Sequence, residues 1–179
     1  DPGTGQNNGL TGVSSSQQFL LPGQGFAAWS GDALGGTAPF IVDVHSAPPH
    51  IATAPITLPM TWTDTGTPTA DGWNLVSNPV PSAIAFDQIA RGADVEDYVT
   101  FYNPANGNAA VYDISLGLGS NGATNTIQSS QGFYLKAAGP AVATTVEEGD
   151  KINDNSGGIF GGLLPDANPM IRLGITSAI

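Results

Sequence analysis

No cysteine occurs among the 179 residues. That excludes disulfides, thiolate nucleophiles and cysteine-ligated zinc. Positive charge is nearly as scarce: Arg91, Lys136, Lys151 and Arg172 stand against 15 acidic residues, for a formal net charge of −11. A surface of that sign repels nucleic acid and anionic membrane, because both are bound through Lys and Arg. It suits an extracellular, salty or calcium-containing medium, and it keeps the chain soluble. No run of 18 apolar residues is present, so no segment reads as a membrane-spanning helix. The start at Asp1 shows no basic-then-apolar leader, from which a mature or excised chain is expected. A Gly-x-Ser-x-Gly elbow, a phosphate loop and a dinucleotide fingerprint are all missing. Gly119-Ser120-Asn121-Gly122 reads as a turn, and nothing singles out a carboxylate pair for glycoside hydrolysis.

What is present is a turn-rich chain with a core. Hydrophobic residues make up 40%, and 24 glycines and 14 prolines divide them into short runs. The runs are 19–21, 25–29, 40–45, 56–63, 73–76, 98–102, 109–114, 126–128, 132–137, 141–146 and 170–176. Most are short, many hold β-branched or aromatic residues, and Gly, Pro, Asn or Asp bounds nearly all of them. That is an all-β pattern. Asn106-Gly107 lies between two of the runs and predicts a type I′ hairpin with positive φ at both central residues. The one helical candidate is 82–91, with Ser82 as cap, Arg91 in the last turn and Gly92 as stop. The fold expected is an antiparallel β-sandwich with long loops and at most one or two short helical turns. Residues 1–18 are polar and read as a flexible or extended lead, with the sandwich module over 19–179.

Residues 72–82 read G-W-N-L-V-S-N-P-V-P-S. The alternation through Trp73 and Leu75 predicts a strand with Trp73 in the core, stopped at Asn78-Pro79 because Pro cannot donate to a ladder. Gln24-Gly25-Phe26 recurs as Gln131-Gly132-Phe133, each copy after a turn and before a strand. Such an echo implies a repeated unit, with 19–70 a partial copy and 71–179 a fuller one. Phe26 and Phe133 are expected in equivalent structural roles.

Taken in order, 72–82, Tyr102-Asn103-Pro104-Ala105-Asn106-Gly107 and Gln131-Gly132-Phe133-Tyr134-Leu135-Lys136-Ala137 resemble a module of large secreted and cell-surface proteins of Bacteroidetes. The resemblance covers roughly residues 20–176 and extends to Val146-Glu147-Glu148 and Met170-Ile171-Arg172-Leu173. Ser77 departs from the usual Gly, and Val80 from the usual aromatic. The resemblance implies export by type IX secretion and brings no catalytic residues with it.

Several clusters are candidates for chemistry. Asp43, His45 and His50 are a conceivable metal set, or else a loop-edge pair beside Pro48-Pro49. Asp150 and Asp154, in the acidic run from Glu147, offer oxygens suited to calcium, or a solvated loop. Asp94 and Asp97, with Glu96, present the same alternatives beside Arg91. No cofactor other than calcium is suggested. Trp29, Trp62, Trp73, Tyr98, Tyr102, Tyr112 and Tyr134 form the aromatic pool for stacking on sugars. Tyr102 and Tyr112, flanking the hairpin, are the binding candidates, with cross-strand packing the alternative.

The function expected is a non-catalytic structural or adhesive module of an extracellular bacterial surface protein. Its partners would be other protein modules or copies of itself, with a filament subunit as the sharper form. Residues 1–18, or the run through 170–179, would then complete a neighbour's sheet by strand addition. The alternative is a carbohydrate-binding module. Nucleic acid and membrane insertion are not expected.

Overall fold

The computed structural model describes residues 15, 18–27, 55–103, 106–154. Asp43, His45, His50, Trp29 and the run at 170–179 lie outside the described residues, as does nearly all of 1–18. Among the described residues ten strands follow in chain order: β1 (Ile56–Thr57), β2 (Trp73–Ser77), β3 (Ala83–Ala85), β4 (Tyr98–Asn103), β5 (Asn108–Asp113), β6 (Leu118–Gly119), β7 (Thr126–Ile127), β8 (Gly132–Lys136), β9 (Thr145–Val146) and β10 (Lys151–Ile152). All pairings between them are antiparallel. The only helical pieces among the described residues are two 3-10 turns, Phe86–Gln88 and Glu148–Asp150. The fold is all-β, as the run pattern predicts.

The largest sheet has the order β2-β8-β4-β5-β6; the smaller ones are β10-β3-β7 and β1-β9. One core joins all three. Val76, Phe133, Leu135, Val99, Phe101 and Ala110 enter it from the large sheet, Ile84 and Ile127 from the second, Ile56 and Val146 from the third. Phe101 and Phe133 meet in a tilted pair with centroids 6.5 Å apart. The small sheets thus cover the inner face of the large one, in sandwich fashion.

The helix expected over 82–91 does not form. Ala83, Ile84, Ala85 and Phe86 are buried in succession. A helix would turn some of them outward, whereas a strand flanked by β7 and β10 buries both its faces. Tertiary pairing overrides the local preference of Ala, Gln and Arg, and only the turn at Phe86–Gln88 remains helical. Its flanking residue Ala85 makes no side-chain cap, so Ser82 has no capping role. Arg91 does serve the turn: Nη1 donates to the carbonyls of Phe86 (3.0 Å) and Ile89 (3.2 Å).

The hairpin at Asn106-Gly107 forms, but with a different turn. Pairing closes at Asn103–Asn108, and Gly107 alone of the two residues has positive φ, at 70°. The Gly107 N–H donates to the Asn103 carbonyl at 2.9 Å, and the Asn106 side chain accepts from Asn108 N–H at 3.0 Å. An Asx-type bond therefore supplies what a second left-handed residue would have supplied.

The repeated Gln-Gly-Phe is a repeated turn. Gln24 N–H donates to the Leu21 carbonyl (2.9 Å), and its side chain accepts from Leu21 N–H (3.0 Å). Gln131 does the same with Gln128, at 3.1 and 2.9 Å. The residue before each Gln is left-handed, Gly23 at φ 77° and Ser130 at φ 62°. Both segments then run antiparallel to β2, on its opposite edges: Gln24 bridges Val76, and Gly132 pairs with Ser77. The first copy lies so close that a Cβ on Gly25 would sit 2.7 Å from Leu75 Cγ. The Phe residues nevertheless differ. Phe133 is fully buried, while Phe26 is 47% exposed, so the two do not occupy equivalent positions.

Candidate functional site

Strand residues two apart share a face, and so do cross-strand partners. Trp73, Leu75 and Ser77 of β2 pair with Lys136, Tyr134 and Gly132 of β8. Tyr134 pairs with Thr100 of β4. Tyr98, Thr100 and Tyr102 pair with Asp113, Val111 and Ala109 of β5. All of these point away from the core. The outer face of the large sheet thus gathers Trp73, Tyr98, Tyr102 and Tyr134, with Lys136 among them.

Trp73 is accordingly not a core anchor. The alternation through residues 73–77 buries Asn74 and Val76 and leaves Trp73 half-buried on the outside. Asn74 can be the inner residue because its amide is fully engaged. Oδ1 accepts from Thr61 N–H (2.8 Å), and Nδ2 donates to the carbonyls of Thr61 and Gly72 (both 2.9 Å). Gly72, at φ 80°, has no room for a Cβ beside the Ala137 carbonyl, which fixes the start of the strand. The Trp73 ring meets Tyr98 at 6.2 Å and carries Lys136 Nζ at 5.6 Å from its centroid. Its Nε1 donates to the Thr69 carbonyl at 3.2 Å. Burial raises the Tyr98 phenol above its ordinary value of 10.0, and Glu96 adds to the rise.

Of the two tyrosines singled out from sequence, the structure separates one from the other. Tyr102 stands on the outer face, 63% exposed. Tyr112 pairs with Val99 on the opposite side and packs against the core. Tyr98 and Tyr134, members of the aromatic pool that were not singled out, share the face with Lys136, which was not in the pool. The signal for them is parity: Tyr98 and Tyr102 are four apart in one strand, Tyr134 and Lys136 two apart in another.

Thr100 lies at the middle of this face, only 9% exposed, and its hydroxyl has no hydrogen-bond partner. Around Tyr102 the side chains are small. Ala109 opposite it and Gly132 on β8 are exposed, and Ser77 donates its hydroxyl to the Gln24 carbonyl at 3.2 Å.

Of the acids considered for calcium, Asp94, Asp97 and Asp150 accept hydrogen bonds from the chain itself. Asp97 accepts from Arg91 Nη2 at 3.0 Å, and the Arg91 guanidinium also lies 4.8 Å from the Phe86 ring centroid. Asp94 accepts from Ala141 N–H at 2.8 Å. Asp150 is buried and accepts from Glu147 N–H at 2.7 Å, which closes a capping box on the second 3-10 turn. Asp154 is exposed at the end of the described chain. Among the described residues no group of three His, Asp or Glu side chains converges as metal ligands do.

The structural residues at the Pro brake are tied together by Asn78. Its Nδ2 donates to the carbonyls of Ser82, Ile127 and Gln128 at 2.8, 3.1 and 3.0 Å, and its Oδ1 accepts from Val80 N–H at 3.0 Å. Pro79 sits inside that loop, where the chain leaves β2 for β3. No described helix is long and apolar enough to cross a membrane. The chain matches no protein-family model, no curated protein and no solved structure.

Proposed function

We propose that this chain is a non-catalytic structural or adhesive module of an extracellular bacterial surface protein, engaging its partners through the outer face of the five-stranded sheet. The observation that carries the reading is the gathering of Trp73, Tyr98, Tyr102 and Tyr134 on that face. Aromatic side chains with a polar tip are the groups enriched where protein surfaces engage partners. The net charge of −11 supports an extracellular setting, where it opposes nonspecific association with other acidic surfaces. Copies of the chain are among the partners proposed, by strand addition or face to face.

Beads coated with the purified chain test this directly. They are expected to adhere to intact bacteria or to one another. The double variant Tyr102→Ala/Tyr134→Ala is expected to abolish that adhesion while keeping the β-type circular dichroism. Equal adhesion by both proteins, or none by either, overturns the reading.

A further inference from the structure

We infer that Asn121 is a site of spontaneous modification: its side-chain amide is lost to give aspartate and isoaspartate, and the loss uncaps the β5 edge of the large sheet. The dipeptide Asn-Gly occurs at 8–9, 106–107 and 121–122, and the last two lie among the described residues. Amide loss is easiest at this dipeptide for a steric reason. The backbone nitrogen after the Asn must reach its side-chain carbon Cγ, and a following Gly has no Cβ in the way. That nitrogen must also give up its proton first. An N–H that donates to a carbonyl keeps its proton until the bond opens, as it does in hydrogen exchange.

The two described copies differ on that point. Gly107 N–H is held by the Asn103 carbonyl at 2.9 Å, and Asn108 N–H holds the Asn106 side-chain oxygen at 3.0 Å. Asn121 and Gly122 are instead the centre of a type I′ turn, with φ of 55° and 87°. The turn is closed by Ala123 N–H donating to the Ser120 carbonyl at 2.9 Å, which leaves Gly122 N–H without a partner among the described residues. Both residues are exposed, and a Cβ built on Gly122 would meet nothing within 4 Å, so water and hydroxide reach the turn. Hydroxide takes the Gly122 N–H proton, and the nitrogen forms a bond to Asn121 Cγ. The Cγ–Nδ2 bond breaks, and Nδ2 takes a proton from water and leaves as ammonia. Water then opens the five-membered imide at either carbonyl, giving aspartate or a backbone rerouted through Cβ. What is lost is a donor in use. Asn121 Nδ2 caps the Ala109 carbonyl at 2.8 Å, and the carboxylate that replaces it has no hydrogen to offer. Oxygen then faces oxygen, and the β5 edge loses one of its covers.

Ageing the full chain in warm, mildly alkaline buffer tests the inference. Peptide mapping by mass spectrometry follows the amide-to-acid change at each Asn-Gly, and chromatography separates the aspartate from the isoaspartate peptide. Asn121 is expected to convert about tenfold faster than Asn106, the scale of one backbone hydrogen bond that must first open. In concentrated urea both bonds are gone, and the two rates should become equal. The aged, more acidic fraction, isolated by anion exchange, is expected to scatter light as larger particles than the fresh chain at the same concentration. Conversion of Asn106 as fast as Asn121 in the folded chain overturns the inference, as does a lead of Asn121 that survives in urea. So does an aged fraction of the same particle size as the fresh one.

Discussion

Asn78 does with one side chain what a short strand does with its backbone. It is 3% exposed and satisfies three carbonyls and one N–H. Asn78→Ala removes all four bonds and leaves buried polar groups behind, so a loss of about 3 kcal/mol is expected, read from urea melts. Thr100 is the opposite case. Its hydroxyl is buried beside Tyr134 and Val111 without a partner, which is a standing penalty. The sequence shows neither role. An Asn before Pro announces a turn, and a Thr in a strand announces β propensity. Which carbonyls surround them depends on residues some fifty positions away, such as Gln128, and no local pattern encodes that distance.

At the scale of elements, the two edges of the large sheet are finished differently. On the β6 side, Ser120 and Asn121 take over where the strand stops. Ser120 N–H donates to the Val111 carbonyl at 2.8 Å, and Asn121 Nδ2 donates to the Ala109 carbonyl at 2.8 Å. Asn103 Nδ2 in turn donates to the Asn121 carbonyl at 2.8 Å. The Ser120 backbone N–H and the Asn121 side-chain amide thereby occupy β5 acceptors that a foreign strand would use. Asn121→Ala should uncover the Ala109 carbonyl and raise self-association, measured by light scattering at fixed concentration. A particle size unchanged from the parent would show that the edge is closed by other means. On the β2 side, the edge is met by residues 23–25 of the same chain, through Ser77 N–H to the Gly23 carbonyl (2.9 Å) and Gly25 N–H to the Leu75 carbonyl (3.3 Å). The strands β2, β4, β5 and β8 were legible, because long alternating runs bounded by Gly, Pro or Asn leave little choice. The fate of 82–91 was not, because a short apolar run in the sequence suits a helix or a central strand until its burial and neighbours are known. Nor was the direction of Trp73: alternation gives two faces, but only the satisfied amide of Asn74 reveals which one is inside.

For the whole molecule, acid is the informative variable. Asp71 is buried beneath the loop it organises, and the Thr65 hydroxyl bond holds its carboxyl below the ordinary 3.8. Partial desolvation opposes that, and backbone N–H groups of Thr65 and Thr67, at 3.0 and 3.1 Å, reinforce it. A carboxylate whose pKa falls on folding stabilises the fold above its ordinary value of 3.8 and loses that contribution as pH drops through the lower folded value. Melting temperatures between pH 7 and pH 2 should therefore fall below about pH 4 in the parent chain. Asp71→Asn should be less stable at pH 7 and show a shallower acid decline; identical acid profiles would remove Asp71 from the account. The pattern of short runs bounded by turn residues foretold the all-β class. It did not foretell the aromatic face, which exists only once β8 has brought Tyr134 beside Thr100.

That placement of β8 also sets an order in time. β4 and β5 are joined by a short hairpin and pair as soon as both exist, but β8 belongs between β2 and β4 and comes later in the chain than either. Until β8 docks, β2 lacks its inner neighbour in the large sheet. Pairings that span so much sequence form slowly, and an unpaired strand is a hazard in the interval. Residues 23–25 precede β2 in the chain and bond to its other edge without waiting on β8. The repeated Gln turn is thus one clasp used twice, closing on one strand from its two sides, once from ahead of it in the chain and once from behind.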